Sequence, residues 1–541
     1  MAIINIMVQA SCLGFAFFLF LTGQTILYIV SYIIYNLFFH PLRRFPGPIL
    51  MRATRATFCY RLWCGTLSFD MLDLHRKYGD VVRIAPDELA YADPAAWKEI
   101  MGHRAGSVAS GGQAPLEFEK SETFYRPIAD LPRDIITAPG PEHAMLRRTL
   151  SHGFSDRSLR DQQPVIMKYV DIFIAKLREL ADVPVQKAYR DEEGDGDSSA
   201  MDLGEKRTAD LGEPVNLTLW YNYCTFDIIG DLAFGEPFGC LEGGDLNPWV
   251  RTIFQMIRLG VALQTANHFS VLSRFITAVM STKAMRNRRL EHQAMTLDKL
   301  KRRITLAERE GPRADLMEGL LKKREEWNLS LQQLEGNASI IIIAGSETTA
   351  TLLSGVTYLL LKNPEKMQKL VNEVRTTFDK ESDVDLKSVN KLTYMLACLD
   401  EALQLYPPVP TGLPRTVPEG GAMIRGRFLP EKTTVAVHQW AMYHNEANFK
   451  NPFLFHPERF LGDPEYASDR REALQPFHIG PRNCLGRNLA YVEMRIMLAR
   501  LLWSFDLVLA EESKAWMETQ KIYTLWEKGP LNVYLKSVIR D

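Results

Sequence analysis

Residues 11 to 39 are an almost unbroken run of Leu, Ile, Val, Phe and Tyr, and no Asp, Glu, Lys or Arg occurs before Arg43. A bilayer core takes about 20 such residues as helix. The pattern therefore predicts an N-terminal membrane anchor over residues 1–42, with a transmembrane helix at about 16–38. A cleaved signal peptide fits less well, because no basic stretch precedes the apolar run and the run is too long. The polar interruption Thr22-Gly23-Gln24-Thr25 is tolerable in a span, and Tyr28, Tyr32 and Tyr35 suit its headgroup end. Arg43, Arg44, Arg52, Arg55 and Arg61 follow the span while nothing basic precedes it. By the positive-inside rule the remainder faces the cytosol, as a single-pass protein of the endoplasmic reticulum membrane in a eukaryote. Phe45-Pro46-Gly47-Pro48 stops the helix, so residues 43–48 read as a Pro-rich hinge.

From residue 49 to 541 helical periodicity dominates, with β-like stretches near Val81-Val82-Arg83-Ile84 and Thr433-Thr434-Val435-Ala436-Val437. The expected fold is mainly α with small β-sheets. Residues 191–210 carry eight acids and two bases with almost nothing apolar, and read as an acidic surface loop. Lys283 to Arg303 carries eight Lys/Arg against two acids, and reads as a solvated helix face. Gly336 to Leu361 is apolar all round and contains a single charge, Glu347. Such a helix is a second span or the buried centre of a large domain. An ionisable group at bilayer depth is costly unless it serves a site, which favours the buried core helix.

Composition changes this picture little. The 541 residues have a formal net charge of -1, which supplies no basic field for nucleic acid. Seven cysteines at irregular spacings (Cys12, Cys59, Cys64, Cys224, Cys240, Cys398 and Cys484) exclude a disulfide scaffold.

One cysteine has an informative context, Phe477-His478-Ile479-Gly480-Pro481-Arg482-Asn483-Cys484-Leu485-Gly486, followed by a helix with Leu489, Val492, Ile496 and Ala499 on one face. A cysteine before a helix start, beside an arginine, is expected to have a lowered pKa and thiolate character. The glycines let backbone approach a flat ligand, Arg482 suits a carboxylate, and Phe477 suits a cover for the sulfur.

At this point the chain resembles the cytochrome P-450 family, the haem-thiolate monooxygenases. Ala344-Gly345-Ser346-Glu347-Thr348-Thr349 is similar to the family's oxygen-activating segment, Glu401-Ala402-Leu403-Gln404 to its E-x-x-R helix, and Phe455-His456-Pro457-Glu458-Arg459-Phe460 to its P-E-R-F segment. The Cys484 loop completes the ordered set. FDIIGDLAFGEPFGC, AGSETTATLLSG and LYPPVPTGLPR resemble fungal members of secondary metabolism, such as trichothecene and other sesquiterpenoid hydroxylases.

The resemblance implies a cytochrome P-450 fold behind a transmembrane helix, with residues 49–541 as catalytic domain. It implies haem b with Cys484 as the axial iron ligand, and Thr348 and Glu347 as the alcohol and acid of proton delivery to dioxygen. Ala344 and Gly345 would keep bulk low at the haem. Arg482, Arg415 and Arg147 would hold the propionates, with His143 beside Arg147 on one helix face and Arg148 as the neighbouring alternative. Phe477, Gly480 and Gly486 would shape the ligand loop. Glu401, Gln404 and Arg459 would form the structural cluster, with Gln404 departing from the usual Arg, so that Glu401 and Arg459 pair one to one. The substrate region would comprise residues before His143, Ile341-Ile342-Ile343, Val409-Pro410-Thr411-Gly412 and Tyr523-Thr524-Leu525, and its apolarity implies an apolar small molecule. Electrons would come from NADPH through a separate cytochrome P-450 reductase, since no dinucleotide fingerprint is apparent. The alternatives are a haem-thiolate isomerase or dehydratase, which could dispense with Glu347 and Thr348, and a non-enzymatic haem-binding membrane protein.

Overall fold

The computed structural model describes residues 2–103, 117–126, 131–181, 212–245, 248–269, 283–311 and 313–540. The acidic stretch 191–210 lies outside them. The N-terminal helix runs from Ala2 to Ile34 and continues as a wider turn over Tyr35–Phe39. Its segment Leu13–Phe39 is long and apolar enough to cross a membrane, and its side chains pack against almost nothing in the protein. The polar interruption satisfies itself, since the Thr22 and Thr25 hydroxyls donate to the carbonyls of Phe18 and Leu21.

The hinge is a fixed elbow. Arg83 N–H donates to the Pro46 carbonyl at 2.7 Å, and a side chain at Gly47 would start 2.2 Å from the Arg83 carbonyl oxygen. The Arg83 guanidinium reaches back to the Asn36 carbonyl at 2.9 Å, and Phe45 is buried. The N-terminal helix is thus joined to the following residues through a fixed elbow.

Behind the elbow lies a five-stranded sheet in the order Val81–Ala85, Glu88–Tyr91, Thr434–Val437, Arg415–Thr416, Glu119–Lys120. Both β-like stretches of the sequence are in it. The short Glu119–Lys120 strand pairs antiparallel with Arg415–Thr416, so that Lys120 stands opposite Arg415.

The rest is helical and is organised around Leu331–Lys362. Ser330 caps this helix through a reciprocal capping box with Gln333. From Ala350 to Leu360 it is buried on every side, as its apolar circumference requires. The core-helix reading is correct. Leu217–Phe234 and Arg487–Ser504 both pack against it.

One charge pattern was misleading. Lys283–Glu310 is a helix, and Lys299 and Arg302 pair with Glu236 at its surface. Arg303, however, is fully buried and pairs with Asp315 at 2.7 Å and Glu318 at 2.9 Å. A run of basic residues does not show which one turns inward.

Candidate active site

The Cys484 loop is shaped by backbone. Cys484 N–H donates to the Phe477 carbonyl at 2.8 Å, closing the loop on itself. Gly480 has φ +78°, and a Cβ there would lie 1.9 Å from the Met101 carbonyl oxygen, so no other residue fits. His478 also takes a positive φ of 57°, a strained conformation maintained by burial against Trp97. Gly486 is different: its φ is -86°, and a Cβ would only touch Phe154 at 3.6 Å.

Cys484 is exposed and lines a chamber together with Phe477, Ala344, Gly345, Thr348 and Leu489. Burial pushes its thiol above the ordinary value, against the pull of the Gly486 N–H, Arg147 and Arg487. The expected lowering is therefore overruled by desolvation. Coordination to a metal ion would favour the thiolate, since a bound metal deprotonates a thiol.

Basic side chains line this chamber: the cations Arg482 and Arg147 with the imidazole of His143, and Lys120, which the sequence did not single out. Arg482 donates to Glu117 and to the Ala138 carbonyl at 2.7 and 2.8 Å. Arg147 grips the loop itself, donating to the Asn483 carbonyl at 2.7 Å and to the Asn483 side chain. Arg148 does not line the chamber. Arg415 is buried one layer back, donating to the Phe118 carbonyl at 3.1 Å and to Met101 Sδ at 3.3 Å. Burial and Arg482 push the His143 imidazole down to about 4, so it is neutral near pH 7.

The central helix also contributes to the lining, through Ala344, Gly345 and Thr348. Thr348 donates its hydroxyl to the Ala344 carbonyl at 2.6 Å, leaving its oxygen lone pairs to the chamber. Gly345 is small for a second reason: a Cβ there would lie 2.7 Å from Ile229 Cδ1, so Ile229 packs where a side chain would stand. Glu347 does not line the chamber. Its carboxylate is buried in an ion pair with Lys528, whose ammonium also donates to Thr351 at 2.6 Å. It lines a separate cavity of about 220 Å³ with Asn222, Arg258, Tyr523 and Lys528. Burial raises the Glu347 carboxyl and the Lys528 ammonium opposes that rise. Of the expected substrate region, Ile341 lines the chamber together with Ile135, Ile136 and Ile340. Ile342 is buried elsewhere, Thr411 and Gly412 line a small polar cavity, and Tyr523 and Leu525 line the cavity beside Glu347.

The family model described as cytochrome P450 matches residues 197–533. "Cytochrome P450 monooxygenase prhB" of Penicillium brasilianum is 45% identical over 516 residues, covering 95% of this chain and 97% of that protein. "Cytochrome P450 monooxygenase tpeC" of Talaromyces stipitatus is 42% identical, covering 94% of this chain and 92% of its own. "Averantin hydroxylase" of Dothistroma septosporum is 40% identical, covering 95% and 90%.

The chain belongs to the cytochrome P450 family. It is an oxidoreductase of the class that incorporates oxygen, and the family implies haem. The residues present fit that group: the Cys484 sulfur and the Thr348 hydroxyl line one chamber, Gly480 admits close backbone, and Arg482, Arg147 and Lys120 line it as cations.

The cytochrome P450 cluster around the glutamate is larger than the expected one-to-one pair. Glu401 accepts from Arg459 Nε and from His456 N–H, both at 2.9 Å. Arg459 also pairs with Asp469, and all three side chains are fully buried. Two carboxylates thus share one arginine, the reverse of two arginines sharing one carboxylate. Gln404 turns its amide to the carbonyls of Tyr443 at 2.7 Å and Pro452 at 3.1 Å, and its buried oxygen finds no partner. A cation at residue 404 would balance the excess negative charge. Gln404→Arg is expected to keep or raise haem occupancy per polypeptide, measured by pyridine haemochrome; a marked loss would show that the amide is tuned to its carbonyls.

Glu493 was missed although its signal was legible: it interrupts the apolar face formed by Leu489 and Ile496. It lines the chamber beside Thr349, and burial pushes its carboxyl up to about 8, opposed by the Thr349 hydroxyl. Folded protein therefore keeps a proton that the unfolded chain loses above its ordinary value near 4.5. Stability declines as pH rises between these two values, by on the order of 1.4 kcal/mol per pH unit. Glu493→Gln has no such proton, so its urea midpoint should gain on wild type from pH 5 to pH 8; parallel curves would place Glu493 in water.

Proposed function

We propose that this chain is a membrane-anchored haem-thiolate monooxygenase that hydroxylates or otherwise oxidises an apolar small molecule of fungal secondary metabolism. The observation that carries this reading is Cys484 and Thr348 lining one chamber together with Ile135, Ile136, Ile229 and Ile341. Relatives named as fungal monooxygenases support the metabolic setting. The exposed Leu13–Phe39 helix supports anchoring in the endoplasmic reticulum, with the domain of residues 49–541 in the cytosol. A separate NADPH-cytochrome P450 reductase supplies the electrons.

Haem bound to Cys484 supplies the activation of dioxygen, with thiolate electron density favouring O–O cleavage. The chain's own residues do the rest. Isoleucines orient the substrate and exclude water, Arg482 and Arg147 fix the cofactor side and the ligand loop, and the Thr348 hydroxyl passes protons into the chamber. Glu347 lies behind Thr348 as the acid that receives protons from the cavity at its own side.

The test is the carbon monoxide difference spectrum of the reduced full-length protein in membranes, followed by turnover with reductase and NADPH under labelled dioxygen. A red-shifted thiolate-type Soret band and one labelled oxygen atom per product are expected. A band without label incorporation would favour the isomerase or dehydratase reading, and no haem would overturn both.

A further inference from the structure

The small polar cavity lined by Thr411 and Gly412 has a volume of about 70 Å³ and lies beside the chamber. Lys120 lines the chamber and the next residue, Ser121, lines this cavity, with its N–H on the Pro414 carbonyl at 3.2 Å. One part of the lining is apolar, through Phe58, Leu62 and Phe124. The rest is polar and unmatched. His438 is 3% exposed, and neither of its ring nitrogens has a hydrogen-bond partner. Gln264 and Thr411, each 6% exposed, also line the cavity without a side-chain hydrogen bond among the described residues. A buried polar group costs free energy unless it is paired, so three such side chains around one cavity point to a polar occupant.

The charges in the lining set the character of that occupant. Arg55 donates to Glu88 at 2.5 Å and also pairs with Asp87, so two carboxylates share one guanidinium. Burial pushes the imidazoles of His268 and His438 down to about 3, which leaves both neutral near pH 7. An anion finds no free cation here, whereas a neutral oxygen meets an imidazole and an amide that each offer a donor and an acceptor. Water alone would satisfy the polar part and leave the rings and the leucine unmatched; an oxygen on a hydrocarbon frame suits both.

We propose that this cavity holds the oxygen-bearing end of the substrate, a neutral hydroxyl or carbonyl, through His438 and Gln264, with the apolar body of the same molecule directed to the chamber. The substrate then already carries oxygen, and the reaction that supplies it leaves an alcohol or a ketone on the skeleton. The inference rests on the monooxygenase reading above.

Its test titrates the full-length membrane-bound holoenzyme with matched hydrocarbons, alcohols, ketones and carboxylic acids on several mono-, sesqui- and diterpene skeletons, reading the Soret shift as each binds. Wild type should bind the alcohols and ketones about fivefold to tenfold more tightly than the matched hydrocarbons, the margin of one neutral hydrogen bond, and the carboxylates less tightly than the alcohols. His438→Leu and Gln264→Met should each lose most of that margin while hydrocarbon affinity stays within about twofold of wild type. His438→Gln keeps a donor and an acceptor and should retain the margin. Neither apolar variant breaks a hydrogen bond within the protein, so their urea midpoints should equal or exceed that of wild type.

Equal binding of hydrocarbons and their oxygenated partners by wild type would overturn the proposal, as would tighter binding of the carboxylates. So would a margin that survives in both apolar variants, which would mean that the cavity holds water only. In each case an intact thiolate-type band in wild type leaves the monooxygenase reading standing. Absence of that band in wild type overturns both.

Discussion

Cys484→Ala is expected to abolish the red-shifted carbon monoxide band of the reduced protein and, with it, all oxygenase turnover. The loss should be complete because nothing in the chamber can replace the sulfur. Cys59, Cys224, Cys240 and Cys398 are buried elsewhere, and burial pushes the Cys59 thiol up to about 12 and those of Cys224 and Cys398 well above their ordinary value. The one imidazole in the lining, His143, is on the helix Gly140–Ser151 rather than in the ligand loop. The loop itself should survive the substitution, since its hydrogen bond runs from the residue 484 N–H to the Phe477 carbonyl and its turn depends on Gly480. Far-ultraviolet circular dichroism close to wild type, with no thiolate-type band, is the expected pair of observations. Persistence of that band would remove Cys484 from the metal and leave the central motif without its chemistry.

What the sequence made legible follows from how each feature is encoded. The anchor, the central helix and the ligand loop are local patterns: a charge-free apolar run, an apolar circumference, glycines spaced around a cysteine. Each is encoded by its own residues: the apolar run is a helix from Ala2, the apolar circumference is a buried helix, and the glycines bend the loop before Arg487. Apart from the Glu401–Arg459 pair, which the resemblance implied, the charge relations are long-range and were not legible. Arg303 and Lys299 lie on one helix four residues apart, yet Arg303 is buried with Asp315 while Lys299 meets Glu236 near the surface. Asp469 joins Arg459 from ten residues on, and Lys528 meets Glu347 from the far end of the chain. Lys120 comes to stand opposite Arg415 only through the pairing of two short strands. The pKa of Cys484 was misjudged for a related reason: proximity to Arg and a helix start is visible in sequence, whereas the desolvation that outweighs both is a property of the packed chain.

The Glu347 pair leads to the second large expected effect. Thr348 and Glu347 are adjacent in sequence but open on different cavities, one lined by Cys484 and the other by Lys528. If Glu347 feeds protons to Thr348, its carboxylate must leave Lys528 during turnover, and the pair acts as a gate between the outer cavity and the chamber. The groups lining its cavity are Lys528 and Glu527, at the end of the strand pair Lys521–Tyr523 and Leu525–Glu527, and Arg258 from the helix Pro248–Asn267, while Thr351 lies one turn along. Glu347 Oε2 is buried without a partner, which leaves one oxygen free to exchange a proton. Glu347→Gln keeps the shape and removes the acid. Product formation should fall by about 100-fold, the lower range for loss of a general acid, while NADPH and oxygen consumption continue with release of hydrogen peroxide. Lys528→Met should act in the opposite sense on the pH profile. Without the ammonium the carboxyl stays protonated to higher pH, so the alkaline limb of product formation moves upward, whereas in wild type the pair keeps the acid ionised as pH rises. Unchanged coupling in Glu347→Gln would reduce the pair to a buried strut, and protons would then have to reach Thr348 from within the chamber, where Glu493 is the remaining carboxyl in the lining.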